Sequence, residues 1–157
     1  MKSKKEFVSQ VKIHSDKIES LFGQKPKVFR NTELIYSDAI GEMVADMGFK
    51  AQLTEGAKHV LGWRSPNYAY SHPYKDNFKL LLKNFQLSDD IAFRFSQHSW
   101  PGYPLTTEKY VEWLNNLDNP ECVNLFMDYE TFGEHQWKET GIFEFLKYLP
   151  SRVLSHS

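Results

Sequence analysis

The sequence is poor in the residues that mark several classes of protein. It contains a single cysteine, Cys122, so an internal disulfide and a Cys-x-x-Cys metal site are both excluded. A catalytic metal held on a helix needs two histidines about one turn apart, and the sequence has no such pair. The six histidines are His14, His59, His72, His98, His135 and His156. We therefore expect no metal and no other cofactor.

Long apolar runs and a basic surface patch are also missing. No segment approaches the length of a membrane span, and the first residues lack the apolar core of a signal peptide. The formal net charge is −1, and the one basic cluster, Lys2, Lys4 and Lys5, lies at the N-terminus. Repeats, low-complexity tracts and linkers are absent. We therefore expect a single cytoplasmic domain over residues 1–157 that binds neither membranes nor nucleic acids.

Aromatic residues, by contrast, are abundant, at 15% of the chain. Many of them fall in two predicted loops, at residues 57–77 and 97–105, which contain Trp63 and Trp100. Long aromatic loops are commonly functional. The two tryptophans are therefore candidates for stacking on sugar rings, and burial in the core is the alternative.

Hydrophobic periodicity predicts alternating helices and strands. Gly23 and Gly48 mark the ends of the first two helices, and Ser37, Ser88 and Thr106 mark the starts of later ones. The predicted helices are 6–22, 37–47, 88–95, 106–117 and 137–148, and the predicted strands are 27–30, 49–53, 78–82, 123–127 and the start of another at 152–154. This alternation predicts an α/β protein with a parallel sheet. Because the chain opens on a helix and closes at a strand, we expect a central section of a larger barrel.

Three predicted strands end in carboxylates, at Glu33, Glu55 and Asp128. Parallel strands bring such ends to one edge of the sheet, which is where active sites lie in this class. Retaining glycoside hydrolysis needs two carboxyl groups about 5 Å apart, one as nucleophile and one as acid/base. The alternative is that these carboxylates only cap the helices that follow.

Two segments resemble the retaining α-glucan enzymes of glycoside hydrolase family 57. Residues 29–36, Phe-Arg-Asn-Thr-Glu-Leu-Ile-Tyr, are similar to the region of the family's nucleophile, and residues 128–133, Asp-Tyr-Glu-Thr-Phe-Gly, to that of its acid/base. Residues 54–57 with Trp63, and residues 87–95, resemble the α-amylase-like branch. The family's first motif, a strand ending in His-Gln-Pro, does not occur, and the motif upstream of the nucleophile has no counterpart.

The resemblance implies a fold and a set of roles. The fold is a seven-stranded (β/α) barrel of which this chain holds a part, a partial (β/α)7 barrel. Glu33 is implied as the nucleophile and Asp128 as the general acid/base acting on α-1,4-glucans or maltooligosaccharides. The candidate substrate-binding residues are Arg30, Trp63, Trp100, Glu130 and His135. For Arg30 the alternative to substrate binding is a surface ion pair, and for Glu130 it is a helix cap.

Two other functions remain as alternatives. The first is a metal-dependent carbohydrate deacetylase, which the histidine spacing disfavours. The second is a non-catalytic glucan-binding module that uses the aromatic loops. A separation of about 5 Å between the carboxyl groups of Glu33 and Asp128 favours catalysis, whereas a long separation with both groups in helix caps favours the module. Exposed barrel edges would also allow the chain to self-associate.

Overall fold

The computed structural model of the protein describes residues 3–155, which divide into two compact units. The boundary lies between Lys83 and Asn84. Lys2 and His156, named above, lie outside the described residues. Lys4 and Lys5 are exposed in the first turn of a helix rather than in a tail.

The first unit contains three helices and a four-stranded sheet within its described part. Its helices are α1 (Lys4–Phe22), α2 (Asp38–Asp46) and α3 (Lys58–Leu61), and its strands are β1 (Val28–Arg30), β2 (Ala51–Thr54), β3 (Ala69–His72) and β4 (Lys75–Leu82). The predicted stops are confirmed, because Gly23 and Gly48 have φ values of 67° and 93°, in the left-handed region that glycine adopts without strain. The predicted start at Ser37 is confirmed as well, since its hydroxyl accepts the Ile40 N–H.

The sheet has the order β1-β2-β4-β3. Strands β1, β2 and β4 are parallel, with Val28 opposite Ala51 and Ala51 opposite Lys79, and β3 is antiparallel to β4. Alternate residues of β4 are buried and form the core of this unit with residues of α2 and α3. That core consists of Val44, Leu61, Phe78, Leu80 and Leu82.

The predicted loop over residues 57–77 is wrong in three places, because it contains α3, β3 and the first three residues of β4. Tyr70 and His72 point inward on β3 while Ala69 and Ser71 are exposed, which is the period of a strand. Pro73 and Tyr74 then form a two-residue turn into β4. The buried His72 ring accepts the Tyr74 N–H at Nδ1 (3.1 Å) and donates from Nε2 to the Asp38 carbonyl (2.8 Å), which fixes the hairpin against α2.

The second unit is helical around an aromatic core. It contains α4 (Phe85–Ala92), α5 (Thr107–Asn115) and α6 (Ile142–Ser155), with 3₁₀ turns at Tyr129–Thr131 and Lys138–Thr140. Thr106 caps α5 as predicted. The predicted cap Ser88 is wrong: Asn84 caps α4 by accepting the Leu87 N–H (3.0 Å), and Ser88 lies buried inside the helix with its hydroxyl on the Asn84 carbonyl.

The predicted strand 123–127 is not one of the four strands of the sheet, and within it only Asn124 makes a β-bridge. Its alternate apolar residues pack on the helical core, as a strand pattern requires. Its backbone, however, bonds to α4, because the Asn124 carbonyl accepts the Asn84 N–H (2.9 Å) and the Phe126 N–H donates to the Ser88 hydroxyl (3.1 Å). The alternation of apolar residues is therefore present as predicted, but the segment's backbone bonds to Asn84 and Ser88 rather than to a strand of the four-stranded sheet.

The C-terminal prediction also needs correction. The predicted helix 137–148 begins only at Ile142, after Gly141 adopts the left-handed conformation with φ of 85°. Residues 152–154, predicted as the start of a strand, continue α6 beyond Pro150. Arg152 forms an ion pair with Glu108 of α5 (3.3 Å), so helix contacts persist at this end.

The expected α/β class is confirmed, and the mostly parallel sheet fits part of a (β/α) barrel. The number of strands in a complete barrel remains a prediction. Among residues 3–155, no helix is both long enough and apolar enough to cross a membrane.

An ion pair between the buried Asp90 of α4 and Arg94, which follows the helix, supports the aromatic loop beyond it. The Asp90 carboxylate, 4% exposed, accepts the Arg94 Nε–H at 2.6 Å, and the Arg94 guanidinium lies over the Trp100 ring at 5.8 Å. Burial raises the pKa of Asp90, and the ion pair with Arg94 acts in the opposite direction.

We predict that Arg94→Ala lowers the free energy of unfolding by about 3 kcal/mol at neutral pH, since it leaves a buried carboxylate without its partner. Because the folded-state pKa of Asp90 already lies above its unfolded value, charging Asp90 costs stability as the pH rises. Loss of Arg94 raises that pKa further, so the destabilisation should shrink as the pH falls toward about 4, where unfolded aspartate also becomes protonated. Urea denaturation of the native protein and of Arg94→Ala across this pH range measures the difference in the free energy of unfolding.

The matched control is Arg152→Ala, which breaks the exposed ion pair with Glu108 in the same unit. We expect a much smaller loss of stability, because both side chains of this pair are exposed to solvent. A destabilisation by Arg94→Ala that does not change with pH would contradict this role of Asp90.

Candidate active site

Glu33 follows β1 in a strained turn, Thr32–Leu34. Its backbone has φ of 52° and ψ of 23°, and Leu34 follows with φ of 55°. Residues other than glycine rarely adopt this left-handed region, because each one costs about 1 to 3 kcal/mol and persists only where its surroundings enforce it. Leu34 is buried and Glu33 is exposed, so the turn presents the Glu33 carboxylate at the carboxyl end of a parallel strand.

The turn is closed by Asn31. Its side-chain oxygen accepts the Thr32 N–H (3.0 Å), and its amide group donates to the Ile35 carbonyl (3.1 Å). One side chain thus bonds to both ends of the turn, which is the role in which asparagine is favoured. Glu33 itself is not the helix cap here, because Asn31 holds that position.

The end of β2 holds the same turn from the other side. The Leu34 carbonyl accepts both the Thr54 hydroxyl and the Glu55 N–H, each at 3.3 Å. The fully buried Gln52 donates from Nε2 to the Ile35 carbonyl at 3.5 Å. These contacts from a central strand enforce the left-handed backbone at Glu33.

The neighbouring strand ends are charged as well. The Glu55 carboxylate accepts the Gly56 N–H (3.0 Å) and lies 4.0 Å from the Lys83 ammonium, which follows β4. A Cβ atom at Gly56 would lie 2.3 Å from the Lys83 carbonyl oxygen, so glycine permits this close approach. Within the first unit, the structure therefore places Glu33, Glu55 and Lys83 at one edge of the parallel strands.

Arg30 and Trp63 are both exposed in the first unit. Arg30 ends β1 and lines a cavity of about 480 Å³ beside α1, and the described residues include no ion pair between Arg30 and Glu33. Trp63 follows α3 and is 94% exposed. An exposed tryptophan face is available for stacking. The roles of both residues remain predictions.

Asp128 begins an anchored loop in the second unit. It precedes the 3₁₀ turn Tyr129–Thr131, and its carbonyl accepts the Thr131 N–H (3.1 Å), but its carboxylate makes no capping bond. Thr131 and Gln136 are buried, and the Gln136 amide donates to the Ala92 carbonyl of α4 (3.1 Å). The loop is thereby fixed to the core while the Asp128 carboxylate stays exposed.

The same loop carries Glu130 and His135. Both side chains are exposed, and the Glu130 carbonyl accepts the His135 N–H (3.1 Å). Asp128, Glu130 and His135 therefore lie exposed on one loop. Their roles toward substrate remain predictions.

His135 also lines an open cleft of about 480 Å³ in the second unit. Its other walls include His98, Tyr103, Trp137 and Glu139. The rings of His98 and Tyr103 are stacked, with centroids 4.3 Å apart and planes 22° apart. We refer to this site, lined by His98, Tyr103, His135, Trp137 and Glu139, as the aromatic cleft.

Trp100 is half-buried and makes packing contacts. Its ring meets Trp113 edge-on at 5.9 Å, and a Cβ atom at Gly102 would lie 2.5 Å from it. These contacts are those of a residue that supports the loop. Its role as a sugar platform remains a prediction.

Each unit thus contributes one of the two candidate catalytic carboxylates. Glu33 belongs to the first unit and Asp128 to the second, and neither side chain serves as a helix cap. Their expected separation of about 5 Å stays a prediction. Within residues 3–155, no three His, Cys, Asp or Glu side chains are grouped so that they could hold a metal ion.

Sequence reasoning missed three candidate residues. Tyr129, 93% exposed between Asp128 and Glu130, could have been found from its position inside the motif. Lys83 could have been found as the first charge after an apolar strand. Trp137 is 62% exposed and lines the aromatic cleft, but the sequence pattern placed it in a predicted helix and did not indicate this position.

Comparison with known proteins identifies the family. The model of Glycosyl hydrolase family 57 matches residues 1–157. A protein of Methanocaldococcus jannaschii named "Putative alpha-amylase" is 55% identical over 151 residues, which cover 96% of this chain and 32% of that protein. This chain thus spans about a third of the length of that curated relative. No solved structure matches the chain. The expected resemblance is confirmed, and the chain belongs to glycosyl hydrolase family 57.

Proposed function

We propose that the protein carrying this chain is a retaining, α-amylase-like glycoside hydrolase that cleaves α-1,4-glucosidic bonds. The observation that carries the proposal is the strained turn that presents Glu33 at the end of a parallel strand. Strain of this kind persists where the surroundings enforce it, and it concentrates at active sites. Family membership and the name of the relative support the same function.

Glu33 and Asp128 share the proposed reaction. In the first step the Glu33 carboxylate attacks the anomeric carbon, the bond to the glycosidic oxygen breaks, and Asp128 donates its proton to that oxygen. In the second step Asp128 takes a proton from water, the water attacks the glycosyl ester, and the Glu33 carboxylate leaves. Two inversions at one carbon give net retention.

The remaining candidates bind substrate. Arg30, Trp63, Trp100, Glu130 and His135 are the residues proposed to contact the glucan. The four-stranded sheet is, in this proposal, part of a seven-stranded barrel in the complete protein. Product length distinguishes the two reactions open to such a site, because hydrolysis shortens a maltooligosaccharide whereas transfer also lengthens it.

A glucan-binding module without catalysis is the second candidate. The observation that favours it is the exposure of two aromatic side chains, Trp63 at 94% and Tyr129 at 93%. Binding of maltooligosaccharides without any turnover by the complete native protein would support this candidate over hydrolysis.

We predict that Asp128→Asn lowers kcat on a maltooligosaccharide by about 10³-fold, since the leaving oxygen then departs without a proton. With an aryl glucoside, whose leaving group is already a weak base, Asp128→Asn should slow the first step much less. Glu33→Gln should abolish turnover of both substrates, because no nucleophile remains. Steady-state kinetics of the complete native protein measures these effects.

The control for Asp128→Asn is Glu134→Gln, which removes an exposed carboxylate from the same loop. We expect turnover close to that of the native protein. If Asp128→Asn and Glu134→Gln cleave maltooligosaccharides equally fast, Asp128 is not the acid/base.

We predict that Thr54→Val lowers kcat about tenfold with a small change in KM, because it removes the hydroxyl that bonds to the Leu34 carbonyl and loosens the turn at Glu33. Thr54→Ser keeps the hydroxyl and should restore most of the rate. Thermal unfolding of both variants separates this positioning role from a general loss of stability. An equal kcat in the Val and Ser variants would rule out the positioning role.

A further inference from the structure

We infer that the aromatic cleft of the second unit is an additional glucosyl-binding subsite, in which His98, Tyr103 and Trp137 hold a sugar unit of an α-glucan. The choice of ligand rests on the proposed function. The geometry of the site is independent of Glu33.

The size and lining of the cleft suit one or two sugar rings. Its volume of about 480 Å³ lies within the range of about 300 to 1,000 Å³ that small-molecule sites occupy. Its wall contains both aromatic rings and polar groups, and Ser96, Glu139 and Thr140 supply hydroxyl and carboxylate oxygens. Such a wall can bond to sugar hydroxyl groups while the rings contact the sugar face.

The aromatic side chains are exposed in the way that stacking requires. Trp137 is 62% exposed and Tyr103 is 37% exposed, although both are large and apolar. Tyr103 stacks on His98, with ring centroids 4.3 Å apart and planes 22° apart, so each ring supports the other and keeps its outer face for a ligand. The C–H groups on one face of a pyranose are weakly positive and the faces of aromatic rings are negative, so the two attract.

The platform is held in place before any ligand binds. The Trp137 indole N–H donates to the Glu134 carbonyl, and the Thr140 hydroxyl donates to the Trp137 carbonyl at 2.6 Å. The Lys109 ammonium bonds to the carbonyls of Gly102 (3.0 Å) and Pro104 (2.8 Å), on either side of Tyr103. A preorganised platform loses little conformational entropy on binding.

The aromatic cleft is continuous with the loop of the proposed acid/base. His135 forms part of its wall, and the His135 N–H donates to the carbonyl of Glu130, two residues after Asp128. A glucan chain cleaved beside Asp128 could therefore extend along this loop into the cleft. The subsite would then select for longer chains.

The test measures binding of an α-1,4-linked maltoheptaose analogue that has sulfur in place of the glycosidic oxygens and is not cleaved. Calorimetric titration of the complete native protein and of Trp137→Ala should show an affinity loss of between about threefold and tenfold. Trp137→Phe keeps a ring and should recover part of the affinity. The matched control is Phe93→Ala, because Phe93 is 67% exposed in the same unit and does not line the cleft.

The outcomes separate this inference from the proposed function. An affinity loss in Trp137→Ala but not in Phe93→Ala supports the subsite, even if the native protein cleaves no glucan. Equal affinities of the Trp137→Ala and Phe93→Ala variants overturn the subsite, even if the native protein cleaves glucans by way of Glu33 and Asp128. Circular dichroism of each variant confirms that the comparison is made between folded proteins.

Discussion

The hydrogen bonds between the end of β2 and the turn after β1 are the constraint on which the proposed chemistry depends. The Leu34 carbonyl accepts two donors from the end of β2, the Thr54 hydroxyl and the Glu55 N–H. Without them the left-handed backbone at Glu33 and Leu34 would relax, because neither residue favours it. The carboxylate would then lose a fixed direction at the end of the sheet.

The parallel sheet explains why this constraint is available. Since β1, β2 and β4 run in the same direction, their carboxyl ends lie at one edge, and the residues after each strand become neighbours. Glu33, Glu55 and Lys83 share this edge although the chain separates them by a helix or a hairpin. The second unit positions its candidate carboxylate differently, because the loop that contains Asp128 is anchored on α4 through Gln136.

Local sequence signals predicted the parts of the fold that depend on local physics. Gly23, Gly48, Ser37 and Thr106 mark helix ends because each end has backbone groups that only a cap or a left-handed residue can satisfy. Glu33 and Asp128 were predicted on other grounds, namely their places after predicted strands and the resemblance of the two motif segments, and their roles remain predictions.

The errors arose where a partner distant in sequence decides the outcome. Residues 123–127 have the pattern of a strand, but their backbone bonds to the start of α4, which the pattern does not encode. The misplaced cap of α4 is a different, local error: Asn84 rather than Ser88 caps the helix, and periodicity alone does not separate two good capping residues four positions apart. The strain at Glu33 was invisible because it is enforced by β2, twenty residues away along the chain.

The most direct test of the account is to trap the glycosyl ester that the mechanism requires. A fluorinated glucosyl fluoride slows the second step, so the ester should accumulate on the complete native protein, and peptide mass mapping should place one glucosyl group on Glu33. We expect this adduct on the native protein and none in Glu33→Gln. An adduct on a different carboxylate, or none while maltooligosaccharides are being cleaved, would contradict the role of Glu33 as the nucleophile.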